Sequence, residues 1–391
     1  MINQTTYEHY GQKLASSAEK VTLTVGAALK WVLKRVISNP DIVFRDEQAY
    51  MNRVEQAAGQ WTVDWQAWAQ EELAKAYLQG IWHTNQELRA LDVSVRQPTH
   101  DISPTTPLMP QQPRSRPNIP QKTAAMFRNY PNHLTMYGVF MAAAYDSLEG
   151  THLQIMRQSR DLYRDVTVMA GEASFREGDI FTRRSFSQHM LNDFAQRGLQ
   201  CIFYRDGRRM SLDAYAEMVG RTLSGRAAMQ ASFNRYEEFG YDLVRVTQHF
   251  ITCPLCAPWE GRVLSLSGDS PHYASMDDAV ADGLFHPNCA HDAVPYIPGV
   301  SEALELHVDP EAQRLIDQHG YKEAQKIAYQ AQQKQRAIER NIRHWRRREV
   351  VALDETEEQK AKAKVREWQK VQREHLSRYP FLPRKYHREA V

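Results

Sequence analysis

Apolar residues recur at helical spacing along most of the 391-residue chain. In Gly26–Ile37 they keep one face, and Ser38–Asp41, reading S-N-P-D, breaks the pattern. A run without proline then extends from Asp46 to Arg89. Within it Trp61, Trp65 and Trp68 fall at i, i+4 and i+7, on one side of a helix. Such a stripe is either a seam between two packed helices or a docking surface for a partner helix. The pattern turns helical again from Thr123 to Gly240, with one segment closing at Gly198. Residues 199–210 look like a strand, a turn at Asp206-Gly207 and a return, which predicts a β-hairpin. Ser211 then suits the N-cap of a helix running to about Phe239, and Gly240 suits its left-handed stop. Tyr241–Phe250, rich in β-branched and aromatic residues, predicts a strand that this helix crosses.

Two compositional breaks divide the chain. Seven of its eighteen prolines lie between Pro98 and Pro120, which excludes helix and central strand and predicts an extended strap. Beyond Gly299 the sequence is helical and highly charged. Ala324, Ala328, Ala331, Ile338, Ile342 and Trp345 hold the helical phase among Gln, Lys and Arg. So polar a helix must lie on a partner surface or protrude into solvent. The expected organisation is an N-terminal helical arm (1–95), a proline-rich linker (96–122), a helical domain with a hairpin near 199–210 (123–240), a small α/β module (241–300) and a basic helical tail (301–391). The fold class is mainly α with a small α+β module.

Composition narrows the function. Hydrophobic residues make up 42 % and net charge is only +2, so any nucleic-acid contact must come from a local patch. No stretch is long and apolar enough to span a membrane. Four cysteines do not make a disulfide scaffold, and they suit a reducing compartment. Three of them gather in one loop-rich stretch. Cys253 and Cys256 form C-x-x-C, His286 and Cys289 form H-x-x-C, and His291 follows. Tetrahedral zinc takes four sulfur or nitrogen ligands, and this set supplies them. Cys253, Cys256 and Cys289 are the expected thiolates, with His291 preferred over His286 as the fourth ligand; a site using His249 in place of Cys253 is a weaker variant. Between the halves, Ser275 with Asp278 predicts a capped helix ending at Gly283 that folds the second half back on the first. Reduced cysteines that merely pack are the plain alternative, and a redox role is another. Cys201 reads as a buried strand residue.

Catalytic signatures do not accompany the cluster. The H-x-E of zinc deaminases occurs only at His387–Glu389, downstream instead of upstream. There is no phosphate-cradling glycine loop and no G-x-S-x-G. Lys334–Arg348 carries seven basic residues against Glu339, a local +6. Arg336, Arg340, Arg343, Arg346, Arg347 and Arg348 are therefore candidates for DNA phosphates, or else form a solvated helix face or pair with acidic residues of a partner subunit.

C-P-L-C-A-P-W-E-G-R-V-L-S-L-S-G, followed by G-L-F-H-P-N-C-A-H-D-A-V-P-Y-I-P-G, resembles the phage minor capsid protein 2 family, akin to the Mu F-like minor head proteins that share H-P-N-C. The likeness runs from about Tyr130 to Glu374 and includes the basic helix. It implies a non-enzymatic virion protein made in the bacterial host cytoplasm and present in several copies in the phage head. Its implied place is at the portal or head interior, where portal protein, major capsid protein and packaged double-stranded DNA are the neighbours, with roles in head assembly, packaging or ejection. Family membership by itself does not imply a metal. A virion-delivered nuclease or transferase, with Glu260 or Asp292 beside an open metal position, is the rival from another class. An internal DNA-binding protein is a third reading.

Overall fold

The computed structural model describes residues 4–39, 42–90, 108, 117–175, 180–287, 289–301 and 308–391. Among these residues lie twelve α-helices and six short strands. In chain order they are α1 (Gln4–Ser38), α2 (Val43–Ala67), α3 (Leu73–Ala90), α4 (Gln121–Met126), α5 (Pro131–Leu148), α6 (Thr151–Phe175), α7 (Ile180–Arg197), β1 (Ile202–Phe203), β2 (Arg209–Met210) and α8 (Leu212–Glu238). They continue with β3 (Leu243–Val246), β4 (Val263–Ser265), β5 (Ala274–Ser275), α9 (Met276–Ala281), β6 (Ala293–Pro295), α10 (Pro310–His319), α11 (Tyr321–Val351) and α12 (Glu355–Arg378). The mainly helical class with a small α/β module is therefore as expected. Most of the proline strap lies outside the described residues; its last turn, Pro117–Pro120, leads into α4.

The chain forms two compact units, each assembled from three separate stretches. The first takes the described residues of Met1–Lys13, Gln66–Ser147 and Glu217–Tyr329; the second takes those of Leu14–Trp65, Leu148–Ala216 and Gln330–Val391.

In the first unit a four-stranded sheet has the order β5-β4-β3-β6. β3 pairs antiparallel with β4 (Val244 opposite Leu264) and with β6 (Val244 opposite Pro295), while β4 and β5 run parallel. Strands of two to four residues are marginal by themselves. Their stability comes from the face they bury. Val244, Val246, Leu264, Leu266, Met276 and Phe285 pack against Met229, Phe233 and Tyr236 of α8. α8 thus crosses the sheet as the sequence predicts, and ends at Gly240 with φ +75°, where Tyr241 N donates to Tyr236 O (2.9 Å). α8 also meets α3 without room for a side chain. A Cβ on Gly80 would sit 2.0 Å from the Ala228 carbonyl oxygen.

The tryptophan stripe is buried at all three positions. Trp61 and Trp65 belong to the second unit, where Trp61 Nε1 donates to Thr151 Oγ1 at 2.8 Å. Trp68 opens a π-helical turn, Trp68–Glu72, that interrupts the helical phase in the first unit. The turn frees carbonyls, and side chains take them up. Tyr137 OH donates to Ala69 O (2.6 Å) and Thr123 Oγ1 to Gln70 O (3.0 Å). The core-seam reading of the stripe is the one observed.

In the second unit α11 has a partner from its own chain. Ile338 and Ile342 pack with Val365, and Trp345 and Trp368 border them, so α12 covers the apolar stripe. The expectation of an outside surface or solvent for this part of α11 is corrected here. The tail after α12 folds back too, with Gln335 Nε2 donating to Pro383 O (2.9 Å) and Glu389 buried against Arg384 (2.7 Å). The hairpin β1–β2 forms around Gly207, φ +83°, and pairs Ile202 with Met210.

A buried ion triad ties this unit's three stretches together. Arg347 of α11 is 6 % exposed. Its guanidinium donates to both carboxylate oxygens of Glu19 and lies 2.8 Å from Asp213 Oδ2. Arg343 stands 3.6 Å from the same Asp213 oxygen. Burial pushes the Asp213 carboxyl up, but the two arginines outweigh it and hold the group below the usual carboxylate range. Removing one member of such a set leaves uncompensated buried charge, at a cost of about 3–5 kcal/mol.

Three outcomes follow. Gly80→Ala should destabilise the protein by about 1–3 kcal/mol, read as a lower urea midpoint, because backbone blocks the new methyl. Arg347→Met should cost about 3–5 kcal/mol in the same assay. A depressed folded-state carboxyl stabilises above its unfolded pKa, and that stabilisation is lost as pH falls through the folded value. The gap in melting temperature between wild type and Asp213→Asn should therefore narrow as pH drops below the usual carboxylate range.

Candidate metal centre

Two loops of the first unit carry the cysteines, and the sheet brings them together. Beyond β3, Thr247 N donates to Asp292 O (2.8 Å) and Asp292 N to Thr247 Oγ1 (3.0 Å), which fixes the first loop against the second. The first loop tightens through Ala257 N to Cys253 O (3.0 Å) and Trp259 N to Cys256 O (2.9 Å). Gly261, φ +73°, then reverses the chain into β4. The second loop is set by α9. Ser275 caps it as expected, its hydroxyl accepting from Asp277 N at 3.0 Å, and Gly283 ends it with φ +105°. Phe285 also takes a left-handed backbone, φ 55°, unusual for a bulky residue, and its ring is buried. A turn closed by Cys289 N to His286 O (2.9 Å) presents the last two ligand candidates.

The five predicted side chains meet. Cys253 Sγ lies 3.0 Å from His286 Nε2, Cys256 Sγ lies 3.5 Å from Cys289 Sγ, and Cys289 Sγ lies 3.4 Å from His291 Nδ1. They make two groups of three, Cys253–Cys256–His286 and Cys256–Cys289–His291, each with its ligand atoms within 4.8 Å of one another. Cys256 belongs to both. Two sulfurs on one tetrahedral zinc, bonded at about 2.3 Å, stand about 3.8 Å apart. The Cys256–Cys289 spacing is close to that. The donor set, three thiols and two imidazoles, suits zinc in kind.

The two histidines differ in how they are held. His286 Nδ1 lies 2.8 Å from Pro287 O in its own loop. His291 is turned by a carboxylate: its Nε2 lies 2.8 Å from Glu260 Oε1, leaving Nδ1 toward the sulfur. The same Glu260 oxygen accepts from His249 N at 2.8 Å. A carboxylate on the far nitrogen fixes tautomer and ring orientation in metal-bound histidines. This role of Glu260, in the Trp-Glu-Gly element, is invisible in spacing, because eleven residues separate it from His249 and thirty-one from His291. His249 packs edge-on against His291, with ring centroids 4.7 Å apart, and hydrogen-bonds Thr247 Oγ1 instead of a sulfur.

The electrostatics draw two of the three thiols toward thiolate. The Cys256 thiol shares hydrogen bonds with the other two sulfurs, which holds Cys253 and Cys289 well below the usual thiol range and pushes Cys256 up. Burial works against charge on His291, but Cys289 and Glu260 raise it to about 9. Burial lowers His249 to about 4 and pushes the Asp292 carboxyl up to about 7, the latter against a hydrogen bond from Ala293 N. Cys201 stands apart from this cluster, buried just before β1 in the second unit, its thiol pushed up to about 12 by burial.

The comparisons with known proteins bear on the whole arrangement. The family model for phage minor capsid protein 2 matches residues 119–377, which take in both loops of the centre and almost all of α12. The chain belongs to the phage minor capsid protein 2 family. It is similar to a structural protein of Lactococcus phage LL-H, 27 % identical over 213 residues, 51 % of this chain and 54 % of the relative. The chain thus spans about half the length of that relative. It is also similar to a structural protein of Lactococcus phage mv4, 29 % identical over 128 residues, 31 % of this chain and 94 % of the relative. No solved structure matches.

The six arginines of the basic stretch sit in varied settings. Arg340 is exposed. Arg336 and Arg346 are half-buried. Arg343 and Arg347 are engaged with Asp213, and Arg347 with Glu19 as well. Arg348 donates to Asn192 Oδ1 (2.9 Å) and lies over the Trp345 ring. Arg347 is thus buried against two protein carboxylates. Among the described residues no helix is long and apolar enough to cross a membrane.

Thiol reactivity follows exposure and thiolate content. In the presence of a chelator, iodoacetamide at neutral pH should label half-buried Cys253 at least roughly tenfold faster than Cys201. Equal labelling would contradict the two placements.

Proposed function

We propose that this member of the family is a structural component of the phage head that works by assembly and not by catalysis. It sits at the portal or head interior in several copies, in contact with portal protein, major capsid protein or both. Cys253, Cys256, Cys289 and His291 hold a structural zinc ion that stabilises the α/β module. The observation that carries the zinc reading is the fixed line from Glu260 through His291 to Cys289 (2.8 and 3.4 Å). A preset histidine grouped with Cys256 and Cys289, with Cys253 grouped to the same Cys256, has the chemistry of a closed structural centre, which needs no water position.

The same geometry weighs against the enzyme reading. Glu260 and Asp292 are the carboxylates that a hydrolytic centre would use. Glu260 is engaged by His291 and by His249 N, and Asp292 is buried and bonded to Ala293 N. Packaged DNA as the principal partner of α11 is disfavoured because Arg347 and Arg343 already face Asp213. The names of the two Lactococcus phage relatives, both structural proteins, agree with the assembly role.

Zinc analysis of the purified chain, with mass spectrometry of mature particles from the phage that encodes it, tests both parts. About one zinc per chain is expected, falling to near zero in Cys256→Ser and His291→Ala and retained in His286→Ala. The chain should be found in mature particles. A metal-free wild type removes the zinc reading, and absence from particles removes the structural one.

A further inference from the structure

α8 turns one more side chain toward the centre. Thr222, Gly225, Arg226 and Met229 lie at i, i+3, i+4 and i+7, and with Arg221 they line a small cleft closed on its other side by Phe285, His286, Cys289 and His291. Arg226 donates from Nη2 to Phe285 O at 2.9 Å. That carbonyl belongs to the left-handed residue directly before His286. Left-handed backbone on a non-glycine residue persists only where its surroundings hold it. Arg226 Nε is buried and has no hydrogen-bond partner among the described residues. Burial lowers the basicity of this guanidinium, and the opposing influence is the charge of Cys289.

A zinc ion with three thiolates and a neutral imidazole carries one net negative charge. Burying that charge is unfavourable without a counter-charge nearby. Nothing in the spacing of the motif supplies one, since C-P-L-C and H-P-N-C-A-H contain no lysine or arginine. Arg226 reaches the centre from a helix that starts forty residues before the first motif.

We propose that Arg226 is a positioning residue of the cysteine–histidine centre, clamping the Phe285–Cys289 segment through the Phe285 carbonyl and offsetting the charge of the thiolates. The metal part of this proposal rests on the zinc reading above; the clamp does not. Arginine is required for both tasks together, because its planar fork bonds the carbonyl while the remaining charge faces the sulfurs.

The test uses the full chain as purified, with two variants and two readouts. Zinc release to a chromophoric chelator reads the metal, and amide hydrogen exchange over residues 284–291 reads the clamp. Arg226→Met should release zinc about tenfold faster or more, the usual scale for losing an outer-shell partner, with its melting temperature nearly kept. Exchange over 284–291 should quicken while the rest of α8 stays protected. Arg226→Lys, which keeps the charge and loses the fork, should fall between the two and serves if the methionine variant does not fold. Wild-type release and wild-type exchange in Arg226→Met would overturn the proposal. So would zinc loss that only tracks global melting. Should the wild type hold no zinc, the zinc reading fails separately: quickened exchange in Arg226→Met would then uphold the clamp, and unchanged exchange would overturn it.

Discussion

Cys256 and Cys289 are thirty-three residues apart in sequence and 3.5 Å apart at sulfur, and the α/β module depends on that convergence. Its strands are two to four residues long, too short to stand without help. One face is buried on α8; the other end consists of loops whose ordering is costly in entropy. In the proposed centre, side chains that share an ion would offset that cost, on a scale of roughly 10–16 kcal/mol for structural zinc in small peptides. The two loops are not left to find each other. Thr247 and Asp292 lock them in register one strand position away, and Glu260 aims His291 before any ion arrives.

The three stretches of the second unit meet at a buried cluster of charges. Arg347, Glu19 and Asp213 come from its three chain stretches and meet out of water. Such a set is a weak source of net stability but a strong constraint on which stretches may pack together, because any mispairing strands a charge. It also changes how the basic helix is understood. A local excess of +6 counted along the sequence is partly cancelled in space by carboxylates distant in the chain. Of the seven basic residues from Lys334 to Arg348 only Arg347 is buried, while Lys334 and Arg340 are exposed.

Much of this was legible in the residues. The stop at Gly240, the hairpin at Asp206-Gly207, the cap at Ser275 and the two short motifs Cys253–Cys256 and His286–Cys289 each have a local cause: a backbone preference or a short spacing. What escaped is what depends on distant partners. Spacing could not tell that Glu260 would orient His291, that Arg347 would find Glu19, or that α12 would cover Ile338 and Ile342. The helical phase of Ala361, Val365 and Trp368 was present in the sequence, yet the surrounding Glu and Lys hid it as a charged tail. The π-helical turn at Trp68 has no sequence signature of its own; it shows only in the side chains, Tyr137 and Thr123, that collect its carbonyls.

The most direct test of the convergence is X-ray absorption at the zinc edge of the purified chain. The account predicts three sulfur neighbours at about 2.3 Å and one nitrogen at about 2.0 Å, in a tetrahedron without an oxygen ligand. A shell dominated by oxygen or nitrogen, or no zinc absorption at all, would contradict it.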